Sequence, residues 1–219
     1  PINPDILKFF QDIGLICVQG YGLTECSPLI AGQTKDMVYQ ATGHALVDMD
    51  VKLINQNEKG IGEIVCKGPN IMKGYYKDPQ RTASAFTEDG YYRTKDLGKM
   101  TKDGCLSIVG RVDNMLIGPN GENIYPEEME TVINSQPYVV DSLVVEDNGG
   151  LTALIYPNFA DGLRDGMNQQ AFVAYMEGTL NDLNKELPNY AKLKKIMVMT
   201  EDFERTPKKS IKRYLYQRK

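Results

Sequence analysis

The spacing of apolar residues changes character near the middle of this chain. Before residue 111, short apolar runs alternate with turns rich in Gly, Asn and Asp, which is the rhythm of strands. An exception is residues 5–13, where Ile6, Phe10 and Ile13 fall at helical spacing, Asn3 or Asp5 can cap, and Gly14 stops the helix. Leu15–Val18 reads as a short buried strand. Met49–Asn55 and Gly62–Cys66 read as strands around a Gln56–Gly60 turn. Asp78-Pro79 opens a helix that ends near Phe86. Cys105–Val109 is a strand that Gly110-Arg111-Val112-Asp113 should break. Beyond 113 the pattern is mixed. Pro126–Asn134 predicts a helix burying Met129, Val132 and Ile133, with Glu127, Glu128 and Glu130 near its positive end. Val139–Glu146 and Leu151–Tyr156 flank Asp147-Asn148-Gly149-Gly150, a hairpin signal. Asp161–Gly166 reads as a loop. Asn168–Leu187 reads as one helix with Phe172, Met176, Leu180, Leu183 and Leu187 on a face, stopped by Pro188. Ile196–Thr200 is a third strand.

These elements make an α+β chain with a boundary at Arg111–Asp113. Residues 1–112 form a β-rich portion, a small distorted barrel or sandwich between 45 and 110; residues 113–219 form a small α+β domain with a short sheet and flanking helices. A length of 219 residues suits two small domains or a large one, and 42% hydrophobic with 25% charged residues can bury a core. A net charge of −4 gives no basic field, so nucleic acid is not an expected partner. No apolar run approaches the roughly 20 residues of a membrane span. Cys17, Cys26, Cys66 and Cys105 lie far apart with no CxxC pair, which argues against zinc and for a reducing, cytoplasmic setting. His44 is the sole histidine, so Ser-His or Cys-His catalysis would have to use it, and a structural role is expected.

Four stretches carry chemistry. In Gly20-Tyr21-Gly22-Leu23-Thr24-Glu25-Cys26, glycines permit close backbone approach, an aromatic can stack, a hydroxyl can bond phosphate, and a carboxylate can hold Mg2+. Tyr91-Tyr92-Arg93-Thr94-Lys95-Asp96-Leu97-Gly98 offers Asp96 as a two-point acceptor. Gly118–Asn123 is a glycine-rich loop before the 126 helix. Residues 203–219 are strongly basic, which by composition alone is a solvated end. Gly68–Tyr76 reads by residue type as an ordinary turn with core aromatics.

Together these stretches resemble the adenylate-forming superfamily, which includes acyl-CoA synthetases, luciferases and the adenylation domains of peptide synthetases. The carriers are YGLTE at 21–25, YRTKDLG at 92–98, GRVD at 110–113 and GENIYPEEME at 121–130. The resemblance implies that Tyr21 packs against adenine beside Gly22, Thr24 contacts the α-phosphate, and Glu25 ligates Mg2+. Asp96 and Arg111 would bind the ribose hydroxyls, and Asp113 would be the hinge of a mobile C-terminal domain. Gly121, Glu122 and Asn123 would turn toward the pantetheine tunnel. A tail lysine would enter the site for adenylation, where positive charge stabilises a pentavalent phosphate. Two departures stand out. Lys95 occupies a usual glycine position, and Ser210 falls in the lysine column, leaving Lys209 or Lys212 to serve by a shifted register.

The implied reaction uses ATP, Mg2+ and CoA. A carboxylic acid, expected to be a long-chain fatty acid from the likeness of Ile211–Tyr216 to that branch, becomes an acyl-adenylate and then a thioester. The abrupt Pro1-Ile2-Asn3-Pro4 opening reads as a C-terminal piece of a longer protein, inactive by itself because no Ser/Thr-rich phosphate loop is present. The intact protein is expected to touch membranes at most peripherally. Two alternatives stay open: transfer to the phosphopantetheine of a carrier protein, and a non-catalytic nucleotide-binding member.

Overall fold

The computed structural model describes residues 4–33, 41–118, 121–207 and 209–217; Asn3 as a cap, and Pro119 and Asn120 of the glycine-rich loop, lie outside these. The chain divides into two compact units, Pro1–Asp113 and Asn114–Lys219.

In the first unit, helix α1 (Pro4–Asp12) buries Leu7, while Ile6 and Ile13 are exposed, so the buried face is not the one the apolar spacing indicated. Gly14, at φ +84°, follows it. Leu15–Val18 is not a strand: it runs irregularly and Leu15, Ile16 and Val18 are exposed. It has no partner strand among the described residues, and apolar character alone cannot form a ladder.

Strands β1 (Gly20–Gly22), β2 (Leu29–Gly32) and β3 (His44–Ala45) make an antiparallel sheet. Strands β4 (Asp50–Ile54), β5 (Gly62–Lys67), β6 (Tyr92–Met100) and β7 (Leu106–Arg111) make a second, in that spatial order, all antiparallel. A bridge between Gly43 and Leu106 joins the sheets. The barrel-like character takes the form of open sheets; no barrel closes among the described residues. The core gathers Ile30, Ile64, Cys66, Tyr92 and Leu106. β5 is buried at five of six positions: Ile64, Val65 and Cys66 are its apolar centre, and the buried Glu63 carboxylate is paired with Arg93. Helix α2 (Pro79–Ser84) starts with Pro79 in its first turn and Asp78 accepting from the Arg81 amide at 3.0 Å. Gly110 and Arg111 do not break the last strand. They pair with Leu97 and Asp96, so the β6 ladder overrides the local glycine signal, and the chain leaves the sheet only at a 3-10 turn, Val112–Asn114.

The second unit opens with a narrow hairpin, β8 (Leu116–Ile117) and β9 (Asn123–Ile124), then helix α3 (Pro126–Asn134), whose Met129 and Ile133 are buried. β10 (Val139–Asp147) and β11 (Gly150–Pro157) form the hairpin expected, turning at Asn148 and Gly149, both at positive φ as that two-residue turn requires. Helices α4 (Phe159–Arg164), α5 (Gln169–Gly178) and α6 (Leu180–Glu186) cross over to β12 (Leu193–Val198), parallel to β11.

Two expectations are corrected here. Residues 161–166 lie largely in α4, too short to show a period, with Asn158 capping Asp161 at 3.3 Å and Gly162 admitting the Phe172 ring. The expected 168–187 helix is two helices. Gly178 is a poor helix former, and the Thr179 hydroxyl donates to the Met176 carbonyl at 2.7 Å where they divide. Its apolar face is still the core: Phe172, Met176, Leu183 and Leu187 pack with Ile133, Val144, Ile155 and Ile196. The other sheet face carries Leu143, Val145 and Leu154 under Phe203, with Ile211 and Tyr216 of the tail against it.

Candidate functional site

Strand pairing brings three separated residues of the first unit together. β6 and β7 set Asp96 opposite Arg111, whose Nη1 donates to Asp96 Oδ1 at 2.7 Å. Tyr21, on β1, donates its hydroxyl to Asp96 Oδ2 at 2.6 Å. Asp96 is buried at 6% exposure, while the Arg111 side chain is half-exposed. Burial, then the Asp96 charge, push the Tyr21 phenol well above its ordinary range, so it remains a donor. Each Asp96 carboxylate oxygen thus accepts from a different element, Oδ1 from Arg111 on β7 and Oδ2 from Tyr21 on β1.

A bulge aims Asp96. Between Glu63 and Val65 of β5 the register shifts, and Thr94, Lys95 and Asp96 stand opposite the single residue Ile64. Thr94 Oγ1 donates to the Ile64 carbonyl at 2.8 Å and accepts from the Asp96 amide at 3.0 Å. Lys95 takes φ +59°, the left-handed conformation a glycine would adopt freely. Its ammonium lies 3.4 Å from Asp113 Oδ2, both exposed.

Thr24 and Glu25 lie in a 3-10 turn after β1, Thr24 exposed and Glu25 half-buried. Tyr75 donates its hydroxyl to Glu25 Oε1 at 3.1 Å, and the Met72 amide donates to the Glu25 carbonyl at 2.8 Å. The Gly68–Tyr76 segment therefore braces the Glu25 turn. Tyr75 is half-buried and Tyr76 is 88% exposed, so these are not simply core aromatics. Sequence reasoning missed both Thr94 and Tyr75; each stood inside a recognised stretch without a partner to reveal its task. Gly22 meets its own chain: a Cβ there would lie 1.8 Å from the Pro28 carbonyl oxygen. Its lack of a side chain is required by the entry to β2. His44, on β3, is 3.4 Å from Asp103 and apart from these residues in contact.

In the second unit, Gly121 (φ +84°) and Glu122 form the turn of the β8–β9 hairpin, and Asn123 begins β9. A groove of about 570 Å³ lies beside it, lined by Leu116, Ile117, Ile124, Leu151, Tyr190 and Lys192. The tail folds into a tight turn of its own. Arg205 bridges Ile211, the Thr206 amide donates to the Ser210 carbonyl, and the Lys209 amide to the Thr206 carbonyl, both at 2.8 Å. Lys209 sits at this turn at φ +63°, exposed. Lys212 lies at its base, its ammonium 3.2 Å from Glu204 Oε2. Ser210 is exposed.

An open β-rich portion ending in an arginine-bearing strand, followed by a small α+β unit, is the architecture of the adenylate-forming class. The chain belongs to the AMP-binding enzyme family: residues 1–76 match its AMP-binding enzyme profile and residues 113–219 its AMP-binding enzyme C-terminal domain profile. A 2-succinylbenzoate–CoA ligase from Enterococcus faecalis is 37% identical over 143 residues, covering 62% of this chain and 29% of the relative. A human long-chain-fatty-acid–CoA ligase is 37% identical over 146 residues, covering 63% and 21%. The solved o-succinylbenzoate CoA synthetase from Bacillus subtilis, in complex with its acyl-adenylate intermediate, superposes with a TM-score of 0.83 at 26% identity, over 99% of this chain and 44% of that one. The chain spans from 21% to 36% of the length of the curated relatives it matches. Among the described residues, no helix is long and apolar enough to cross a membrane.

Proposed function

We propose that the protein to which this chain belongs activates a carboxylic acid with MgATP and passes the acyl group to CoA. The observation that carries this reading is the Tyr21–Asp96–Arg111 constellation beside a braced Thr24-Glu25 turn. In it, Asp96 and Arg111 hold the ribose hydroxyls, Tyr21 and Gly22 line the adenine side, and Thr24 donates to the α-phosphate. Glu25 fits a hard cation. One carboxylate oxygen is engaged by Tyr75, the other is left for a metal, and a lone acidic ligand suits Mg2+ that is otherwise held by phosphates and water. Among the described residues no cluster of three metal-ligating side chains competes with it. Bound there, Mg2+ would neutralise phosphate charge.

The acid's carboxylate attacks the α-phosphorus, pyrophosphate leaves, and an acyl-adenylate remains. Rotation at Asp113 would then bring Gly121, Glu122 and Asn123 to the CoA side, where the thiol attacks the acyl carbon and AMP leaves. Of the two tail lysines, Lys209 is the better cation for the first step, because it is exposed at a turn while Lys212 is paired with Glu204. We take the acid to be a long-chain fatty acid from the likeness of residues 211–216 to that branch. Relatives of equal identity act in name on succinylbenzoate and on long-chain acids, so a substrate panel decides.

The test is mass spectrometry on the full-length protein with ATP, Mg2+, a panel of aromatic and short- to long-chain acids, with and without CoA. Acyl-CoA peaking with long chains is the expected result, with Lys209→Ala lowering adenylate formation far more than Lys212→Ala. Acyl-adenylate that accumulates despite CoA would indicate a carrier-protein acceptor. No product with any acid would favour a non-catalytic nucleotide-binding member, the reading that Ser210 supports.

A further inference from the structure

Among the described residues of the tail, the most deeply held cation, Arg213, has no place in that scheme. Arg213 belongs to a basic segment in which Lys209 and Ser210 are exposed, yet its side chain is only 14% exposed, and that of its partner Glu130 is 12% exposed. Arg213 Nη2 donates to Glu130 Oε2, and Nη1 to the Val144 carbonyl at 3.4 Å. Glu130 Oε1 in turn accepts from the Val144 amide at 2.7 Å. One guanidinium thus ties the tail to α3 and to β10 at once, through a carboxylate that is itself fixed to the strand. The same group lies 3.9 Å from Glu127 Oε1, which Asn114, the residue after Asp113, holds at 2.6 Å. The other Glu127 oxygen is buried with no hydrogen-bond partner among the described residues. Exposed ion pairs would hold a tail weakly. A buried arginine with paired acceptors holds it in one geometry.

We propose that Arg213 is a positioning residue for the adenylation step: anchored on Glu130 and Val144, it fixes the base of the 204–212 turn and so the point from which Lys209 is presented. The proposal rests on the adenylation reading above for its catalytic part, and on the contacts alone for the anchor.

Two measurements on the full-length protein separate these parts. The first is amide hydrogen exchange in wild type, Arg213→Met and Arg213→Lys. Exchange across 204–212 should rise at least tenfold in Arg213→Met and less in Arg213→Lys, with the β10–β11 amides unchanged. Unchanged exchange in the tail overturns the anchor; if Arg213→Met does not fold, the Arg213→Lys rise decides. The second is the split between half-reactions. Pyrophosphate-releasing adenylation should fall at least tenfold in Arg213→Met, while thioester formation from supplied acyl-adenylate and CoA stays within about threefold. Equal losses in both halves overturn the positioning role in favour of a merely structural one. A wild type that makes no adenylate overturns the adenylation reading and with it the catalytic part, while accelerated tail exchange in Arg213→Met still upholds the anchor.

Discussion

Asp96 and Arg111 face each other in register across β6 and β7, joined at 2.7 Å, and the second oxygen of the same carboxylate is held by Tyr21 from another sheet. This one side chain therefore ties the two sheets of the first unit as well as presenting a ligand. Removing the phenol in Tyr21→Phe strips a donor from a buried carboxylate, and bonds to charged groups are worth about 1.5–3 kcal/mol. Urea denaturation should show the unit destabilised by about that amount. Because burial and Asp96 hold the phenol proton far above its ordinary range, the loss should be constant across neutral pH. An unchanged midpoint would mean that the bond contributes nothing.

Gly22 carries a different demand. A methyl group added at its Cα would sit 1.8 Å from the Pro28 carbonyl oxygen and 2.7 Å from Leu29 Cα, so backbone must move to admit any side chain. Overpacking of this kind costs about 1–3 kcal/mol. Gly22→Ala should lower thermal stability and, by shifting the Thr24-Glu25 turn, weaken nucleotide binding, read by calorimetric titration of ATP in the presence of Mg2+. Wild-type affinity in a folded Gly22→Ala protein would uncouple the turn from the site.

The pieces of this arrangement were unequally legible in the sequence. The α3 helix and the β10–β11 hairpin were readable because pattern and turn residues agree locally: Pro126 starts one, Asn148-Gly149 turns the other. Leu15–Val18 was misread because strand formation depends on a neighbour, which four apolar residues cannot specify. α4 was hidden by its length. The long α5–α6 pattern concealed a break because both helices bury one continuous set of residues, Phe172 to Leu187, and period alone does not register a hinge at Gly178. Of the site, the residue types and their order were readable, whereas their bracing was not. Tyr75 reaches Glu25 from 50 positions away and Arg213 reaches Glu130 across 83, separations that no local motif encodes.

Lys95 gives a prediction opposite in sign to most substitutions at a candidate site. At φ +59° a side-chain-bearing residue is strained by roughly 1–2 kcal/mol, partly offset by the greater chain entropy a glycine loses on folding. The exposed pair with Asp113 is worth little. Lys95→Gly should therefore stabilise the first unit by about 0.5–1 kcal/mol, and Lys95→Val should destabilise it because branching at Cβ tolerates this backbone poorly. Chemical denaturation of the three proteins in one buffer checks the order; Lys95→Gly less stable than wild type would show that the side chain is held by more than its backbone.

Glu130 supplies a pH dependence. Burial raises its carboxyl to about 7 from an ordinary 4.5, with the nearby Glu127 charge adding to the rise, while Arg213 and the Val144 amide pull it down. The folded chain thus binds a proton between pH 4.5 and 7 that the unfolded chain releases. The sign follows: this group's contribution to stability grows as pH falls from 7 toward 4.5 and is lost as pH rises through 7. Neutralising Glu130 also removes the charge that Arg213 docks against, so tail docking should loosen over the same window in which the second unit gains stability. Carboxyl-carbon NMR of Glu130 should titrate near 7 in the wild type and higher in Arg213→Met, where the favourable cation is gone. Glu130→Gln should flatten the slope of stability against pH between 5 and 8. A Glu130 carboxyl that titrates near 4.5, with the same slope retained in Glu130→Gln, would refute both statements.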